Sequence, residues 1–316
     1  MIWTVTANPA LDITYRVGTF HVGGVSRVRD LSERAGGKGL NVARVLDALG
    51  HPVTATGFLG GSDGERVTSL LAAGNPGVTA RFVQAAGPTR RSVAIVDDDA
   101  ATSVLNEQGP PRSASEWEDL FGVLAEVGKA DVVAISGSLP PDSDPELLPR
   151  MVRFLKERGA RVLVDTSGPA LLTAADAGAD LLKPNNHELL EATGANDLMD
   201  GVRELLWRGA GVVALSLGED GMLAAARTDE RLRTAQARPR RTVVGNPTGA
   251  GDASVAAWCA WFAERPDAAP ADLVGGVGEA VALSAAAVAS PVAGEFDSDE
   301  WAAQRGPEVE ESTHDW

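Results

Sequence analysis

Short apolar runs alternate along this chain with longer segments of helical periodicity, and this alternation limits the fold more than any other property of the sequence. Five runs are rich in Val, Ile or Leu and are bounded by Gly, Pro or polar residues, as buried strands are: Val53–Leu59, Val132–Ser136, Val162–Asp165, Leu181–Lys183 and Val212–Leu217. A repeated strand–helix–strand order requires a parallel sheet that helices cover on both faces. We therefore predict an α/β fold with functional residues at the carboxyl ends of its strands.

One helix start between these runs has a recognisable signal. The segment Ser115–Glu118 has the form of a capping box, in which a serine and a glutamate three residues later each satisfy a free backbone N–H group. This pattern predicts that a helix begins at Ser115, between the first two of the predicted strands.

Two stretches, residues 13–34 and 91–105, differ because apolar and polar residues alternate in them with a period of two. This period is typical of strands with one solvated face. We predict that both stretches belong to a small β-sheet that protrudes from the main body as a lid. The chain has no internal repeat and no low-complexity linker, so residues 1–316 are expected to form one domain. The acidic tail from Gly306 onward is expected to be poorly ordered.

The charge of the chain excludes some classes of function. A net charge of −16 argues against a nucleic-acid or anionic-membrane surface, because both need a basic field. The share of hydrophobic residues, 44%, is ordinary for a globular protein with a real core. We therefore predict an acidic metabolic enzyme that binds neither nucleic acid nor membrane. An anionic substrate of such an enzyme needs a local basic pocket.

Cysteine and histidine usage points to a reducing compartment without structural metal. Cys259 is the only cysteine, so no intrachain disulfide can form and the cytoplasm is the expected location. No signal-peptide pattern is visible at the N-terminus, and the longest apolar stretch, Ala280–Ala293, is too short to span a bilayer. No structural zinc is expected, because metal-ligand spacing is absent among His21, His51, His187 and His314.

The strongest chemical signal is the segment Gly245–Asp252, which reads Gly-Asn-Pro-Thr-Gly-Ala-Gly-Asp and leads into the helical run Ala253–Phe262. Glycines let a backbone approach a ligand closely, and the free N–H groups of a helix start attract a phosphoryl group. An aspartate at this position is also a common N-cap. Taken alone, the segment is therefore compatible with an anion hole or with an ordinary helix cap.

A second glycine-rich segment, Ala35–Asn41, reads Ala-Gly-Gly-Lys-Gly-Leu-Asn and precedes the helical pattern Val42–Leu49. It lacks the wider glycine spacing and the Lys-Ser/Thr pair of a Walker phosphate loop, and it lacks the Gly-x-Gly-x-x-Gly dinucleotide fingerprint. Lys38 and Asn41 are placed where they can reach a ligand. The alternative is a glycine turn with a solvated lysine.

Together, these segments resemble the ribokinase-like (PfkB) sugar-kinase family, and within it the branch of 1-phosphofructokinases and tagatose-6-phosphate kinases. Gly36–Asn41 and Gly249–Asp252 correspond to the two family signatures. Other matching segments follow in family order: Thr4–Asp12, Thr89–Arg90, Ile135–Pro140, Lys183–Glu188 and Ser216–Gly221. The resemblance implies a ribokinase-like parallel-sheet α/β sandwich with a β-sheet lid, which often also forms a homodimer interface.

The resemblance also implies the site residues, position by position. It places the catalytic base at Asp252 and the anion hole at Gly249, Ala250 and Gly251. Nucleotide contacts are implied at Lys183, Ser216, Gly218 and Gly221, and Mg²⁺ is implied, through water, at Asn185 and Glu188. Sugar contacts are implied at Asp12, Gly37, Lys38 and Asn41. Contacts to a phosphate on the sugar are implied at Arg27, Arg90 and Ser138, since arginine matches phosphate geometry with paired donors.

The implied reaction is ATP- and Mg²⁺-dependent phosphorylation of a primary hydroxyl on a ketohexose phosphate. Motif chemistry leaves tagatose 6-phosphate, fructose 6-phosphate and fructose 1-phosphate open, because a ketohexose furanose carries a CH₂–O group at C1 and at C6. Asn246-Pro247 replaces the commoner Asp-Thr or Asn-Thr. Three segments resemble tagatose-6-phosphate kinases more than 1-phosphofructokinases and favour a hexulose 6-phosphate: Lys183-Pro-Asn-Asn, Asn246-Pro247 and Gly39-Leu-Asn-Val. A kinase for a free sugar or nucleoside, a non-catalytic sugar-phosphate-binding protein and a structural protein remain as alternatives.

Overall fold

The computed structural model describes residues 1–99, 101–228 and 231–315. Its strands are β1 (Ile2–Thr6), β2 (Ala10–Val17), β3 (Val28–Gly36), β4 (Val53–Leu59), β5 (Val78–Ala80), β6 (Val83–Gln84), β7 (Arg90–Val96), β8 (Thr102–Asn106), β9 (Val132–Ser136), β10 (Arg161–Asp165), β11 (Leu181–Leu182), β12 (Val212–Ser216), β13 (Met222–Thr228), β14 (Arg231–Ala237) and β15 (Val309–Asp315). Its helices are α1 (Lys38–Ala48), α2 (Gly61–Gly74), α3 (Ala114–Leu124), α4 (Leu147–Glu157), α5 (Pro169–Asp176), α6 (Asn186–Thr193), α7 (Leu198–Arg208), α8 (Ala250–Glu264), α9 (Pro270–Leu273), α10 (Val277–Ala289) and α11 (Ser298–Gln304). Short 3₁₀ turns cover Gly218–Asp220 and Val274–Gly276.

A large, mostly parallel sheet forms the centre of the protein. Its strands follow the order β15-β14-β13-β12-β11-β10-β9-β1-β4-β5, and β6 also pairs with β4. Pairing is parallel from β5 to β12 and antiparallel from β12 to β15. The five strands predicted from apolar runs are β4, β9, β10, β11 and β12, and all lie in the parallel part. The predicted α/β fold is confirmed.

Helices cover both faces of this sheet. Successive residues of a strand point to opposite sides, and apolar residues on both sides of these strands are buried under helices. On one face α1, α8 and α10 bury Leu40, Trp258 and Leu283. On the other face α3 and α4, with α5 and α7, bury Trp117 and Met151. Burial of such a side chain contributes about 1.5–3 kcal/mol, so the two layers hold the helix ends firmly at the carboxyl edge of the sheet. In the described part of the chain, no helix combines the length and apolar character needed to cross a bilayer.

A second, four-stranded sheet stands apart from the large one, in the order β3-β2-β7-β8. β2 pairs antiparallel with β3 and parallel with β7, and β7 pairs antiparallel with β8. These strands cover the two stretches with a period of two, so the small sheet predicted from them is confirmed. Every residue of β8 is exposed, which shows that this edge protrudes from the main body.

The predicted start of α3 is wrong by two residues. The capping box is formed by Ser113 and Glu116: Ser113 Oγ accepts from Glu116 N at 3.3 Å, and Glu116 Oε2 accepts from Ser113 N at 2.6 Å. Ser113 has the extended backbone that a cap requires, whereas Ser115 is already helical. Glu118 instead forms an ion pair with Arg150 at 2.8 Å.

The acidic tail is ordered, contrary to the prediction. β15 pairs with β14 along its whole length, from Val309 to Asp315, and closes one edge of the large sheet. An ion pair of 2.9 Å between Arg233 and Glu311 joins the two strands. The unpaired edge of β14 offers the tail backbone hydrogen bonds that it would otherwise make only with water.

Candidate active site

A cleft of about 940 Å³ opens at the carboxyl edge of the large sheet. The amino ends of α1, α6 and α8 border it, together with the start of β7. Most of the predicted site residues line this cleft: Gly37, Lys38, Asn41, Arg90, Lys183, Asn185, Glu188, Ser216, Gly218, Gly221, Gly249, Ala250, Gly251 and Asp252. The tertiary structure therefore brings the predicted nucleotide, sugar and catalytic positions into one site.

The amino end of α8 forms one wall of the cleft. Gly249 caps the helix with φ 91°, in the left-handed region that favours glycine. The amide of Ala250 donates to Pro247 O at 3.2 Å. The amides of Gly251 and Asp252 lie in the first turn, where no intrahelical carbonyl is available to them. The helix therefore offers these two amides, with its positive end, to an anion.

The Asp252 carboxylate is buried at this helix end, and only 6% of the residue is exposed. Its Oδ2 accepts a hydrogen bond from Asn41 Nδ2 at 2.7 Å. Burial, reinforced by the charge of Asp165, raises the pKa of Asp252 to about 6, while the Asn41 hydrogen bond, Lys38 and Lys183 lower it. A carboxylate with this pKa is ionised at neutral pH and accepts a proton more readily than an ordinary aspartate does.

Asp165 lies in the same cluster, although it belongs to none of the predicted motifs. It ends β10 and is 1% exposed, and its carboxylate lies 3.3 Å from Lys38 Nζ and 3.5 Å from Lys183 Nζ. A Cβ on Gly251 would lie 3.3 Å from Lys183 Nζ, so this ammonium group also lies against the start of α8. Its position in the sequence could have indicated a functional role, because Asp165 is a carboxylate at the carboxyl end of a predicted parallel strand.

Lys38 is the first residue of α1. Gly37 precedes it with φ 116°, a conformation that glycine adopts without strain. Burial alone would lower the pKa of Lys38, but the carboxylates of Asp165, Asp252 and Glu188 together raise it. Lys38 therefore remains a cation inside the cleft and can meet an anionic ligand.

Asn185 and Glu188 form the capping box of α6. Asn185 Oδ1 accepts from Glu188 N at 2.9 Å, and Glu188 Oε2 accepts from Asn185 N at 2.9 Å. The other carboxylate oxygen of Glu188, Oε1, accepts no hydrogen bond from the described residues, and it is carried by a half-buried side chain at the cleft. Carboxylate oxygens suit Mg²⁺, directly or through water. The residues therefore fit Mg²⁺ through Glu188, while Asn185 orients that carboxylate.

Part of the cleft lining is apolar, and we call this part the apolar wall. It includes Met222, Val243, Val281, Ala285 and Val288, none of which belongs to a predicted motif. Ser216 lies beside Asn185, where the two residues form a parallel bridge. Gly218 and Gly221 have φ of 64° and 85°, and a Cβ on Gly221 would overlap a neighbouring carbonyl. These glycines allow the turn to pass close to a wall that suits a flat, apolar group.

Asp12 and Arg90 lie where the small sheet meets the cleft. The Asp12 carboxylate fills the space that a side chain on Gly36 would need. Burial raises the pKa of Asp12 to about 6, although Arg44 and Arg90 act to lower it. Arg90 Nε donates to Asn8 O at 3.1 Å, which anchors a guanidinium that has further donors for an anion.

Three predicted substrate residues do not line the cleft: Asp12, Arg27 and Ser138. Arg27 is exposed in the loop between β2 and β3. Ser138 is exposed in the loop after β9, although a Cβ on its neighbour Gly137 would lie 3.7 Å from Lys38 Cβ. The substrate roles of Asp12, Arg27 and Ser138 stay predictions.

The cleft brings together a buried carboxylate, a helix amino end and two lysines at the edge of a parallel sheet. This combination is typical of a phosphotransferase. A family model described as pfkB family carbohydrate kinase matches residues 5–300. The chain therefore belongs to the PfkB family of carbohydrate kinases and is an ATP-dependent sugar kinase. This finding confirms the resemblance drawn from the sequence motifs.

Solved structures similar to this chain include several sugar kinases. Phosphofructokinase-2 from Escherichia coli is 29% identical, with 96% of this chain and 97% of that chain covered and a TM-score of 0.87. Its complex with fructose-6-phosphate gives 28% identity, the same coverage and a TM-score of 0.83. A protein named a possible 1-phosphofructokinase from Thermotoga maritima is 25% identical, with 98% of this chain and 99% of that chain covered and a TM-score of 0.80. Ribokinase from Arabidopsis thaliana, at 21% identity, 96% and 97% coverage and a TM-score of 0.73, shares the fold.

Proposed function

We propose that this kinase transfers the γ-phosphoryl group of ATP to a primary hydroxyl of a ketohexose phosphate, and that the acceptor is a hexulose 6-phosphate phosphorylated at O1. The observation that carries the proposal is the buried Asp252 carboxylate at the amino end of α8, 2.7 Å from Asn41 Nδ2. The base and the anion-binding amino end of the helix lie at the same place. Together they supply the positioning and the charge stabilisation that phosphoryl transfer needs.

Each of these residues has a distinct role in the proposed phosphoryl transfer. Asp252 accepts the proton of the acceptor hydroxyl as its oxygen attacks the γ-phosphorus. The segment Gly249–Gly251, with the free amides at the start of α8, stabilises charge on the transferring group. Lys38 and Lys183 balance phosphate charge, and the buried Asp165 keeps both ammonium groups at this end of the cleft.

The donor side of the cleft fits a nucleotide with its metal. Bound Mg²⁺ would supply positive charge that neutralises the phosphates of the nucleotide. Glu188 is the residue that would hold it, through water, because Asn185 already fixes the other carboxylate oxygen by a bond of 2.9 Å. The apolar wall, together with Ser216 and the turn Gly218–Gly221, suits the base and ribose of ATP.

The acceptor side supports a sugar that already carries a phosphate. Arg90 presents a guanidinium at the rim, and paired guanidinium donors match phosphate geometry. Asp12 and Asn41 add polar groups that penalise a ring isomer which leaves them unpaired. The related E. coli phosphofructokinase-2 forms a complex with fructose-6-phosphate. We therefore place fructose 6-phosphate beside tagatose 6-phosphate as the first acceptors to test.

The second candidate acceptor is fructose 1-phosphate, phosphorylated at O6. The similarity to the T. maritima protein named a possible 1-phosphofructokinase favours it. A site that grips a phosphate at one end of a ketohexose furanose and offers the other end to Asp252 accepts either orientation. The two reactions on fructose phosphates give the same bisphosphate, so product identity alone does not separate them.

An assay of ADP release over a panel of sugars tests the proposal. The panel contains fructose 6-phosphate, tagatose 6-phosphate, fructose 1-phosphate, free fructose, ribose and adenosine, each with Mg²⁺-ATP. We expect the highest kcat/KM with a hexulose 6-phosphate. A clear preference for fructose 1-phosphate would reverse the choice of acceptor only. Equal activity on free sugars would refute the phosphosugar proposal, and binding without turnover would indicate a sugar-phosphate-binding protein.

We also propose that the small sheet acts as a lid and as a homodimer interface. Its register places Tyr15, Leu31, Val93, Ile95 and Leu105 on one side, which we name the lid apolar face. Leu31 is 52% and Leu105 62% exposed, while Tyr15 and Val93 are partly buried against the core. Exposed apolar side chains at the two edges of one face mark a contact surface. The related E. coli phosphofructokinase-2 forms a tetramer in its inhibited form.

Arg27 gives the lid dimer a second line of support. This residue resembles a substrate contact by motif, yet it lies in the exposed loop between β2 and β3 and does not line the cleft of its own chain. We propose that Arg27 reaches substrate only across the lid dimer. Arg27→Ala should then raise the KM for the phosphosugar only under conditions in which the protein is dimeric.

A further inference from the structure

Arg44 is a buried arginine that the proposed reaction does not use. It lies on α1, one turn after Asn41, and is only 7% exposed. Its guanidinium donates to three neutral oxygens: Ala35 O at 3.0 Å, Asn41 Oδ1 at 2.7 Å and Ala293 O at 2.6 Å. A buried cation is costly unless it is paired, and the carboxylates of Asp12, Glu295 and Asp252 act on Arg44 through their charge. Arg44 is therefore held in a specific geometry rather than left as a solvated side chain.

The first of its connections runs through Asn41 to the catalytic base. Asn41 Oδ1 accepts from Arg44 Nη2, and Asn41 Nδ2 donates to Asp252 Oδ2, both at 2.7 Å. If the amide turned over, its NH₂ would face the guanidinium and its carbonyl oxygen would face the carboxylate. Both contacts would then be repulsive, because donors would meet donors and acceptors would meet acceptors. Arg44 therefore decides which side of Asn41 faces Asp252.

The second connection runs through Ala293 to the anion hole. Ala293 follows α10, and a Cβ on Gly249 would lie 2.8 Å from Ala293 Cα, so this residue packs directly on the cap of α8. The next residue, Gly294, has φ 76°, and a Cβ there would overlap the Arg44 guanidinium. The loop that contains Ala293 and Gly294 therefore packs against Arg44 on one side and against Gly249 on the other.

We propose that Arg44 is a positioning residue for phosphoryl transfer, because its guanidinium bridges Asn41 and Ala293 and so holds the base Asp252 in register with the anion hole at Gly249. Arg44 does not line the cleft, so it acts through these neighbours and not on substrate. The inference rests on the proposed function, since it takes Asp252 as the base.

The inference predicts a specific change in Asp252. The charged groups that face this carboxylate are Lys38 on α1, Asp165 at the end of β10 and Lys183 after β11, and the charge of Arg44 also acts on it. Arg44→Lys keeps all of these charges. Loss of the oriented Asn41 amide removes a hydrogen bond that favours the ionised carboxylate, so the pKa of Asp252 should rise.

Arg44→Lys is the decisive variant, because it keeps the charge but loses the planar fork that serves three acceptors. We expect kcat to fall by about 10- to 100-fold, while KM for ATP changes little. The acidic limb of the kcat–pH profile should move to higher pH. The titration of the Asp252 carboxyl carbon, followed by ¹³C NMR and assigned with Asp252→Asn, should show the same shift without turnover.

A double-mutant cycle tests the route of the effect. Asn41→Ala alone should move the titration of Asp252 upward, and Arg44→Lys should add little to that shift in the Asn41→Ala background. Arg158→Lys is the matched control, since Arg158 also donates to backbone carbonyls, among them Val127 O at 3.0 Å, but lies at the end of α4. The control should lose stability without altering kcat or the titration of Asp252.

Several outcomes would overturn the inference. Arg44→Lys that loses stability but keeps wild-type kcat and an unshifted Asp252 titration would make Arg44 purely structural. Fully additive shifts from Arg44→Lys and Asn41→Ala would show that Arg44 acts independently of Asn41. A wild-type protein that phosphorylates no sugar would refute the proposed function instead, and the NMR titration would still decide whether Arg44 positions Asp252.

Discussion

Asp252→Asn should abolish catalysis and stabilise the fold at the same time. The amide cannot take the hydroxyl proton, so kcat should fall by about 10²- to 10⁴-fold or more. Its carbonyl oxygen can still accept from Asn41 Nδ2, which donates to Asp252 at 2.7 Å in the wild type. The cluster also gains a net positive charge, because Lys38 and Lys183 remain while one carboxylate is lost. The KM for ATP should therefore not rise.

The gain in stability follows from the raised pKa. Folding raises the pKa of Asp252 from 3.8 to about 6, mainly because the carboxylate is buried. At about 1.4 kcal/mol per unit, ionised Asp252 destabilises the fold by about 3 kcal/mol. The sign is that of an acid whose pKa is raised on folding. The cost is absent well below pH 4, grows between pH 4 and 6, and is complete above pH 6.

A neutral amide of the same shape avoids this cost. We expect Asp252→Asn to raise the free energy of unfolding by about 2–3 kcal/mol at pH 8 and by about half as much at pH 5. Urea unfolding followed by tryptophan fluorescence at both pH values measures the difference. Asp200→Asn is the control, because Asp200 is an exposed first-turn aspartate of α7 and its loss should cost about 0.3–1 kcal/mol.

Two results would refute this reasoning. Equal stability of wild type and Asp252→Asn at pH 8 would show that the ionised carboxylate is not strained by burial. A variant that retains more than about a tenth of wild-type kcat would show that Asp252 is not the general base.

Other sites give predictions of the same kind. Arg90→Ala should raise the KM for the phosphosugar by about 10- to 100-fold and leave the KM for ATP nearly unchanged, as initial-rate kinetics will show; a parallel rise in both would contradict a phosphate contact. Glu188→Gln should raise the Mg²⁺ concentration needed for half-maximal rate, whereas Glu116→Gln in the capping box of α3 should not; an unchanged Mg²⁺ requirement would remove Glu188 from the metal site. Leu31→Asp with Leu105→Asp should shift the protein toward monomer in analytical ultracentrifugation, and an unchanged sedimentation coefficient would place any dimer interface elsewhere.

The central elements could be predicted from local sequence, because their periods are local properties. Short Val-rich runs such as Val132–Ser136 became parallel strands, and the period of two in residues 91–105 became part of the small sheet. The glycine segments could also be placed at helix starts. Gly37 and Gly249 adopt positive φ, and this requirement acts on a single residue whatever surrounds it.

Where local signals competed, tertiary contacts decided the result. Ser113 and Ser115 each stand three residues before a glutamate, so both frames have the form of a capping box. The structure selects Ser113, because Glu116 Oε1 also accepts from Ala86 N at 2.9 Å, while Glu118 is engaged by Arg150. The tail likewise has no strong strand signal of its own, and the open edge of β14 orders it.

The sequence by itself determined which residue types stand at the starts of α1, α6 and α8, because capping and backbone conformation depend on a few consecutive residues. It did not determine that Asn41 would meet Asp252, 211 residues away, or that Arg44 would reach Ala293 across 249 residues. Nor did it show that Asp165 lies between Lys38 and Lys183. Those contacts depend on the order of the strands in the sheet, since that order sets which carboxyl ends are neighbours, and no local pattern contains it.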